Sequence, residues 1–337
     1  MDDSDFEQLI EEYCHILAPL FDGHGDPFDY VLALLRAAGQ ENAGWDTLEE
    51  SFRMLDDLHY LSTAHLPQEL FPEPKTTRLR LELLQYCHLV EMAAPYDIIA
   101  NLCRVRLGQP VSYSLFIRPK NKGATNKLGN QRQFMSPTDK INIIKSLSRS
   151  AELPAIGDAF DEFYRSGIRN AIDHSDYVIH DGEFRMRNQT IKSDEDSNVR
   201  TSVIKLARLQ EFVSRTRAFY LAFIRVEKGA RLTVGQRRGN AFPYDHHYKG
   251  ILEAVADKED FLCGAVVHWP NETESYYMRT ANGSKPMNVL PLNGELTTFV
   301  GEKYSPHDPF SPLVKLGDLP RYTPLRGSSE PLEWKWQ

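Results

Sequence analysis

The sequence predicts a mainly α fold: a helical N-terminal part, a helical bundle with an inserted β-hairpin, and a small α/β C-terminal part. Three observations point there. Apolar residues recur at three- and four-residue steps through much of the first 226 positions, the spacing of a buried helix face. Two strand-like runs, Tyr177–His180 and Glu183–Arg187, flank Asp181-Gly182, a two-residue hairpin signal. Beyond residue 240 short β-prone runs and two Asn-Gly pairs replace the helical pattern.

Taken in order, Phe6, Leu9, Ile10, Tyr13, Ile16 and Leu17 give one face of a helix over 5–21. The Gly- and Asp-rich run 22–26 ends it, and Pro27 opens the next helix, through Ala38. A third helix is expected at 46–62. Pro67, Pro72 and Pro74 then mark a boundary, which sets off 1–74 as an acidic helical region.

The bundle is read over 75–230. Leu79, Leu83, Tyr86, Val90 and Ala93 form its first stripe, and Pro95 should break or kink that helix before it resumes to Leu107. Residues 118–135 are basic, rich in Gly and Asn, and read as a loop. Ser136-Pro137 is a helix start, with Ile141, Ile144 and Leu147 behind it. Phe160, Phe163, Tyr164, Gly167, Ile168, Ala171 and Ile172 make one apolar face, so a single helix is expected over 155–174. After the hairpin, the acidic run 192–198 reads as a loop. Leu206, Leu209, Val213, Thr216, Tyr220 and Phe223 then predict a long helix ending near Val226.

For 240–304 the expectation is a small α/β region. It has a helix at 247–257 and strands at Phe261–Trp269, Ser275–Thr280, Met287–Leu292 and Leu296–Val300. Residues 305–337, with six prolines, form a tail.

Composition narrows the function classes. With 337 residues, 41% apolar and 26% charged, the chain is neither mainly disordered nor collagen-like nor a disulfide-framed miniprotein. No apolar run approaches the roughly 18 to 20 residues of a membrane span, and Met1–Asp5 is acidic where a signal peptide is basic. Four widely spaced cysteines, with no CxxC pair, read as buried free thiols. A cytoplasmic protein without membrane contact is expected.

The net charge of −8 conceals a division. Residues 1–74 hold 17 Asp and Glu against 2 Arg, whereas 118–238 hold 23 Lys and Arg against 14 Asp and Glu. A basic middle in an acidic chain suggests a face for a polyanion, or a surface that the acidic part covers. No phosphate-loop, dinucleotide-binding, HExxH or GxSxG motif is present. Asp245-His246-His247, Cys14-His15 and Cys87-His88 place neighbours where they point apart, so neither metal nor cofactor is expected.

What remains is Arg169-Asn170-Ala171-Ile172-Asp173-His174, late in the apolar-faced helix and just before the hairpin. Asn170 and His174, four apart, share a helix face, and Arg169 lies roughly 140° from His174. One helix converges these groups poorly; two such helices at a symmetric cleft do better. Arg53 and His59 have a similar spacing, but Met54 follows the arginine and no hairpin comes after.

With its Arg, its Asn and its His, the segment 163–177 resembles the HEPN superfamily, over a bundle from about 75 to 228. That resemblance implies an all-α dimerising bundle and, in active members, a metal-independent ribonuclease of toxin or defence type. Chemically the residues suit the task. His174, with an ordinary imidazole pKa of about 6.5, can move protons near neutrality. Arg169 can stabilise a phosphorane, and Asn170 can orient phosphate or imidazole. The products would be 2′,3′-cyclic phosphate and 5′-hydroxyl ends.

Arg165, one turn before Arg169, and Arg208 and Arg215 on the last bundle helix are candidate phosphate contacts. Tyr177 is a candidate base-stacking residue. The expected partners are RNA, such as tRNA loops, a second copy of the chain, and a regulatory protein or antitoxin. Two rivals stay open: a non-catalytic HEPN-like dimerisation or partner-binding module, and an RNA-binding adaptor. A histidine in a last helical turn also suits the helix dipole without any further role.

Overall fold

A computed structural model describes residues 3–35, 52–55, 57–58, 60–61, 64–112, 115–118, 133–193, 198–236, 241–242, 251–256, 259–268, 274–278, 287–292 and 295–300. More than half of these are helical, so the chain is mainly α. Helix α1 spans Asp3–Leu17 and runs into a 3₁₀ turn at Ala18–Leu20; α2 spans Pro27–Leu34. Residues 52–55, 57–58 and 60–61, within the third expected helix, are helical. Helices α3 (Pro74–Glu91) and α4 (Ala93–Arg106) follow. The short pair β1 (Ile117–Arg118) and β2 (Gln133–Phe134) then precedes α5 (Pro137–Ser150).

Ser136 caps α5 as expected, its hydroxyl accepting the Asp139 N–H at 3.3 Å. The break between α3 and α4 falls at Met92 rather than at Pro95. Pro95 then sits in the first turn of α4, where its missing N–H costs no helical hydrogen bond.

The expected helix over 155–174 is two helices, α6 (Pro154–Phe163) and α7 (Ser166–Asp173). Tyr164 and Arg165 between them are extended, with ψ of 122° and 107°. The physical reason lies in the core. Phe160 and Phe163 belong to one apolar cluster, and Ile168, Ala171 and Ile172 belong to another. A single straight helix would aim its stripe at one of them only.

Strands β3 (Tyr177–His180) and β4 (Glu183–Met186) form the expected hairpin, with His180 opposite Glu183. Asp181 and Gly182 both have positive φ, 50° and 74°, the signature of a two-residue turn that follows the strand twist. Strands β5 (Ile191–Lys192) and β6 (Arg200–Thr201) pair with each other. Strand β7 (Val203–Lys205) joins the other edge of β4. Helix α8 spans Leu206–Gly235, nine residues past the expected end.

The first core gathers α1, α2, α4, α5, α6 and the middle of α8. Its centre is aromatic, with Phe219 at 4.9 Å from Phe160 and 5.2 Å from Phe163 between ring centroids. The second core gathers α3, α7, the hairpin sheet and the start of α8, around Leu83, Tyr86, Ile168, Phe184 and Phe212. Helix α8 is the spine of both. The acidic helix α1 is built into the first core through Leu9, Ile10, Tyr13 and Leu17. Its Glu7 and Glu11 both pair with Arg225 of α8.

The C-terminal part differs from the expected α/β region. Strands β8 (Ala241–Phe242), β9 (Ile251–Ala256), β10 (Leu262–His268), β11 (Glu274–Met278), β12 (Met287–Leu292) and β13 (Glu295–Val300) form one antiparallel sheet. They lie in chain order across it. The expected helix at 247–257 is β9, because Ile251 to Ala256 pair along β10 and sheet pairing overrides a weak helical pattern. Arg231 of α8 ties the spine to this sheet by donating to the Leu262 carbonyl at 2.9 Å. Cys87 and Cys103 are buried free thiols, and Cys14 is half-buried. The Pro-rich tail, Asp245-His246-His247 and most of the 118–135 loop lie outside the described residues.

Among the described residues, no helix is long and apolar enough to cross a membrane. Helix α7 lies so close to β5 that a Cβ on Gly167 would stand 2.6 Å from the Thr190 carbonyl oxygen. Gly167→Ala is expected to cost about 1–3 kcal/mol in urea denaturation, since backbone must shift to admit one methyl group.

Candidate functional site

The site begins with the break that frees α7. The hydroxyl of Tyr86, wholly buried in the second core, accepts the Arg165 N–H at 3.1 Å. Its own proton faces the Phe163 and Arg165 carbonyls at 3.4 and 3.5 Å. Burial pushes this phenol well above its ordinary pKa, so it stays neutral and available to the backbone. Helix α7 ends in a Schellman arrangement. The Ser175 N–H donates to the Ile172 carbonyl and the Asp176 N–H to the Ala171 carbonyl, with Ser175 at φ 51°. The Arg187 N–H then donates to the Asp176 carbonyl at 3.0 Å and pins the end of α7 to the hairpin.

Within this frame Arg169 is clamped. Its Nη2 pairs with Glu91 of α3 and with Asp173 one turn ahead, the latter at 2.8 Å. Its Nη1 donates to the Asn170 side-chain oxygen at 2.8 Å. Its Nε is buried without a hydrogen-bond partner. The Cys87 thiol donates to the Arg169 carbonyl at 3.7 Å, and burial pushes that thiol up to about 12, which keeps it protonated. His174 is the opposite case. It caps α7, is exposed, and has no side-chain hydrogen bond or ion pair among the described residues.

The expected site residues therefore fall into two groups. Arg169 and Asn170 touch, and His174 and Tyr177 follow them along the chain. Tyr177 stacks on Phe184, ring centroids 4.7 Å apart, and lines a groove with Arg80, Ser175, Val178 and Ile179. The other cations gather around Phe212. Arg165 and Arg208 lie over its ring, at 4.6 and 4.5 Å from the centroid. Arg165 also donates to the Asp161 and Tyr164 carbonyls. Arg208 and Arg215 share Glu211, and Arg215 also reaches Glu162 at 2.7 Å. These hydrogen bonds, that of Arg208 first, hold the Glu211 carboxyl below the usual carboxylate range. All three expected phosphate contacts thus sit apart from the groove that Tyr177 lines.

Two residues at the site escape a reading of the sequence alone. Glu91 and Arg80 both belong to α3, and with Leu84 and Cys87 they follow i, i+4, i+7 and i+11 along one face. The apolar stripe Leu79–Leu83–Tyr86–Val90 marks the neighbouring face. The signal was present only as a polar strip flanking that stripe, and nothing local pairs it with α7. Among the described residues, no group of three His, Cys, Asp or Glu side chains is placed to hold a metal ion.

The two key side chains should separate cleanly in stability measurements. Arg169→Ala, which removes both ion pairs between α7 and its carboxylates, is expected to lower stability by about 1 kcal/mol. His174→Ala should leave stability within about 0.5 kcal/mol of wild type, because an exposed side chain without partners holds nothing in place. Parallel urea titrations check both.

No protein-family model, curated protein or solved structure matches the chain.

Proposed function

We propose that the chain is a metal-independent endoribonuclease whose chemistry centres on His174. The observation that supports this most is the contrast at the end of α7. There a guanidinium oriented by two carboxylates stands in the same short helix as an exposed imidazole with no side-chain partner among the described residues. An orienting network next to a side chain left free for proton transfer is what acid–base chemistry on a phosphodiester needs.

The reaction follows from the residues. An imidazole takes the proton of a ribose 2′-hydroxyl as its oxygen attacks the adjacent phosphorus. The bond from phosphorus to the 5′-oxygen breaks, and that oxygen receives a proton from a second acid. A 2′,3′-cyclic phosphate and a 5′-hydroxyl result, with no water consumed. One His174 supplies one of the two transfers, and in a homodimer the second copy supplies the other. Arg169 stabilises charge on the phosphorane once the phosphate displaces Asp173, while Glu91 keeps the guanidinium oriented. Asn170 holds the other guanidinium nitrogen. Arg165, Arg208 and Arg215 add long-range attraction, which the carboxylates beside Arg208 and Arg215 reduce. Such an enzyme would act in the cytoplasm on accessible RNA such as tRNA loops. A toxin or defence role under a regulatory protein or antitoxin is the setting the HEPN-like motif suggests.

A second reading has its own observation. Arg169 spends its Nη donors on Glu91, Asp173 and Asn170, as a purely structural arginine would. On that reading the bundle is a non-catalytic dimerisation or RNA-binding module.

The test is incubation of the purified full-length chain with tRNA and total RNA in EDTA, wild type beside His174→Ala, with end-group analysis. Wild type should cut to 2′,3′-cyclic ends, and the variant should be slower by about 100-fold or more. Binding of RNA without cutting by wild type would favour the second reading. Equal cutting by both proteins would overturn the role given to His174.

A further inference from the structure

The groove next to Ser175, the residue after His174, presents a cation with no carboxylate beside it. It is lined by Arg80, Ser175, Tyr177, Val178 and Ile179, so a guanidinium and two hydroxyl-bearing side chains share it and no carboxylate lines it. The arginines of the candidate site and of α8 named above carry carboxylate partners: Arg169 with Glu91 and Asp173, Arg208 and Arg215 with Glu211, and Arg225 with Glu7 and Glu11. Arg80 is exposed, and among the described residues it has neither an ion pair nor a side-chain hydrogen bond. An anion approaching this surface meets an uncancelled charge here, whereas at the other sites it must first displace a carboxylate.

We propose that this groove binds single-stranded RNA, with one phosphate on Arg80 and the adjoining base or ribose against Tyr177 and Val178. The proposal rests on the reading of the chain as an RNA-processing protein and assigns that reading a substrate path. Position carries it. Ser175, which lines the groove, directly follows His174, and Tyr177 lies three residues beyond it, so the end of α7 that carries His174 adjoins the groove. The Tyr177 ring is fixed by stacking on Phe184, and a preset aromatic loses little freedom when a base stacks on it. Val178, 57% exposed, adds an apolar flank. An open groove with one phosphate anchor and one ring suits an unpaired strand, whose bases are free to stack, better than a duplex.

The experiment measures binding of a fluorescein-labelled single-stranded RNA 20-mer, and of the same RNA annealed to its complement. The protein is full-length His174→Ala, which spares the probe. Arg80→Glu and the milder Arg80→Gln are added to it. Arg149→Glu makes the same charge change at an exposed arginine of α5, outside the site. Thermal melts confirm that each variant is folded.

Arg80→Glu should weaken single-strand binding at least tenfold and Arg80→Gln severalfold, with a shallower salt dependence. Arg149→Glu should change it less than twofold, and duplex should bind more weakly than single strand. Equal effects of Arg80→Glu and Arg149→Glu would overturn the groove. Cleavage by wild type in EDTA is scored separately. If wild type cuts RNA while Arg80→Glu leaves binding unchanged, the groove fails and the nuclease reading stands. If Arg80→Glu abolishes binding but wild type does not cut, the groove stands and the nuclease reading fails. Absence of RNA binding by every variant overturns both.

Discussion

The buried hydroxyl of Tyr86 fixes where α6 stops and α7 starts, and the candidate site depends on that break. By holding the backbone at Arg165, it lets Phe160 and Phe163 enter one core while Ile168, Ala171 and Ile172 enter another. A hydrogen bond of this kind contributes only about 1 kcal/mol net, but leaving the buried partners unmatched costs more. Once α7 is a separate short helix, its outer edge carries Arg169, Asn170 and Asp173 toward Glu91 of α3, and its end delivers His174 to the surface. The hairpin then locks that end through Asp176 and Arg187.

Charge is arranged around this helix with a consistent logic. The basic middle of the chain does not present an unbroken positive face, because carboxylates from α1, α3, α6 and α8 neutralise many of its arginines at close range. Glu7 and Glu11 do so for Arg225, Glu91 for Arg169, Glu162 for Arg215 and Glu211 for Arg208. Net charge along the sequence therefore overstates the field that a polyanion would feel, and local pairing decides where attraction survives. By that criterion Arg80 offers a phosphate more than Arg208 and Arg215 do, because Glu211 and Glu162 offset those two.

Much of the fold was legible because local physics determined it. Ser136-Pro137, Asp181-Gly182 and the stripes of α1 and α8 act through caps, turns and helical periodicity, which act within a few residues. The break at Tyr164–Arg165 was hidden because the apolar spacing continues across it, and only a partner 79 residues away, Tyr86, reveals the interruption. Strand β9 was read as a helix for a similar reason: its identity comes from pairing with β10. At the site, Arg169, Asn170 and His174 stood out as residue types in one motif. Glu91 and Arg80 did not, since their relevance arises from α3 packing beside α7. Spacing identifies what a helix offers, but only packing identifies what faces it.

The most direct test of the central claim is an NMR titration of the histidine side chains, with His174 assigned by its absence from the His174→Ala spectrum. The full-length chain would be titrated with an RNA oligonucleotide carrying 2′-O-methyl groups, which bind but cannot be cleaved. Of the eleven histidines, His174 should show the largest chemical-shift change on saturation with the oligonucleotide. An unchanged His174 resonance at saturating RNA would contradict the account and leave the end of α7 as structure alone.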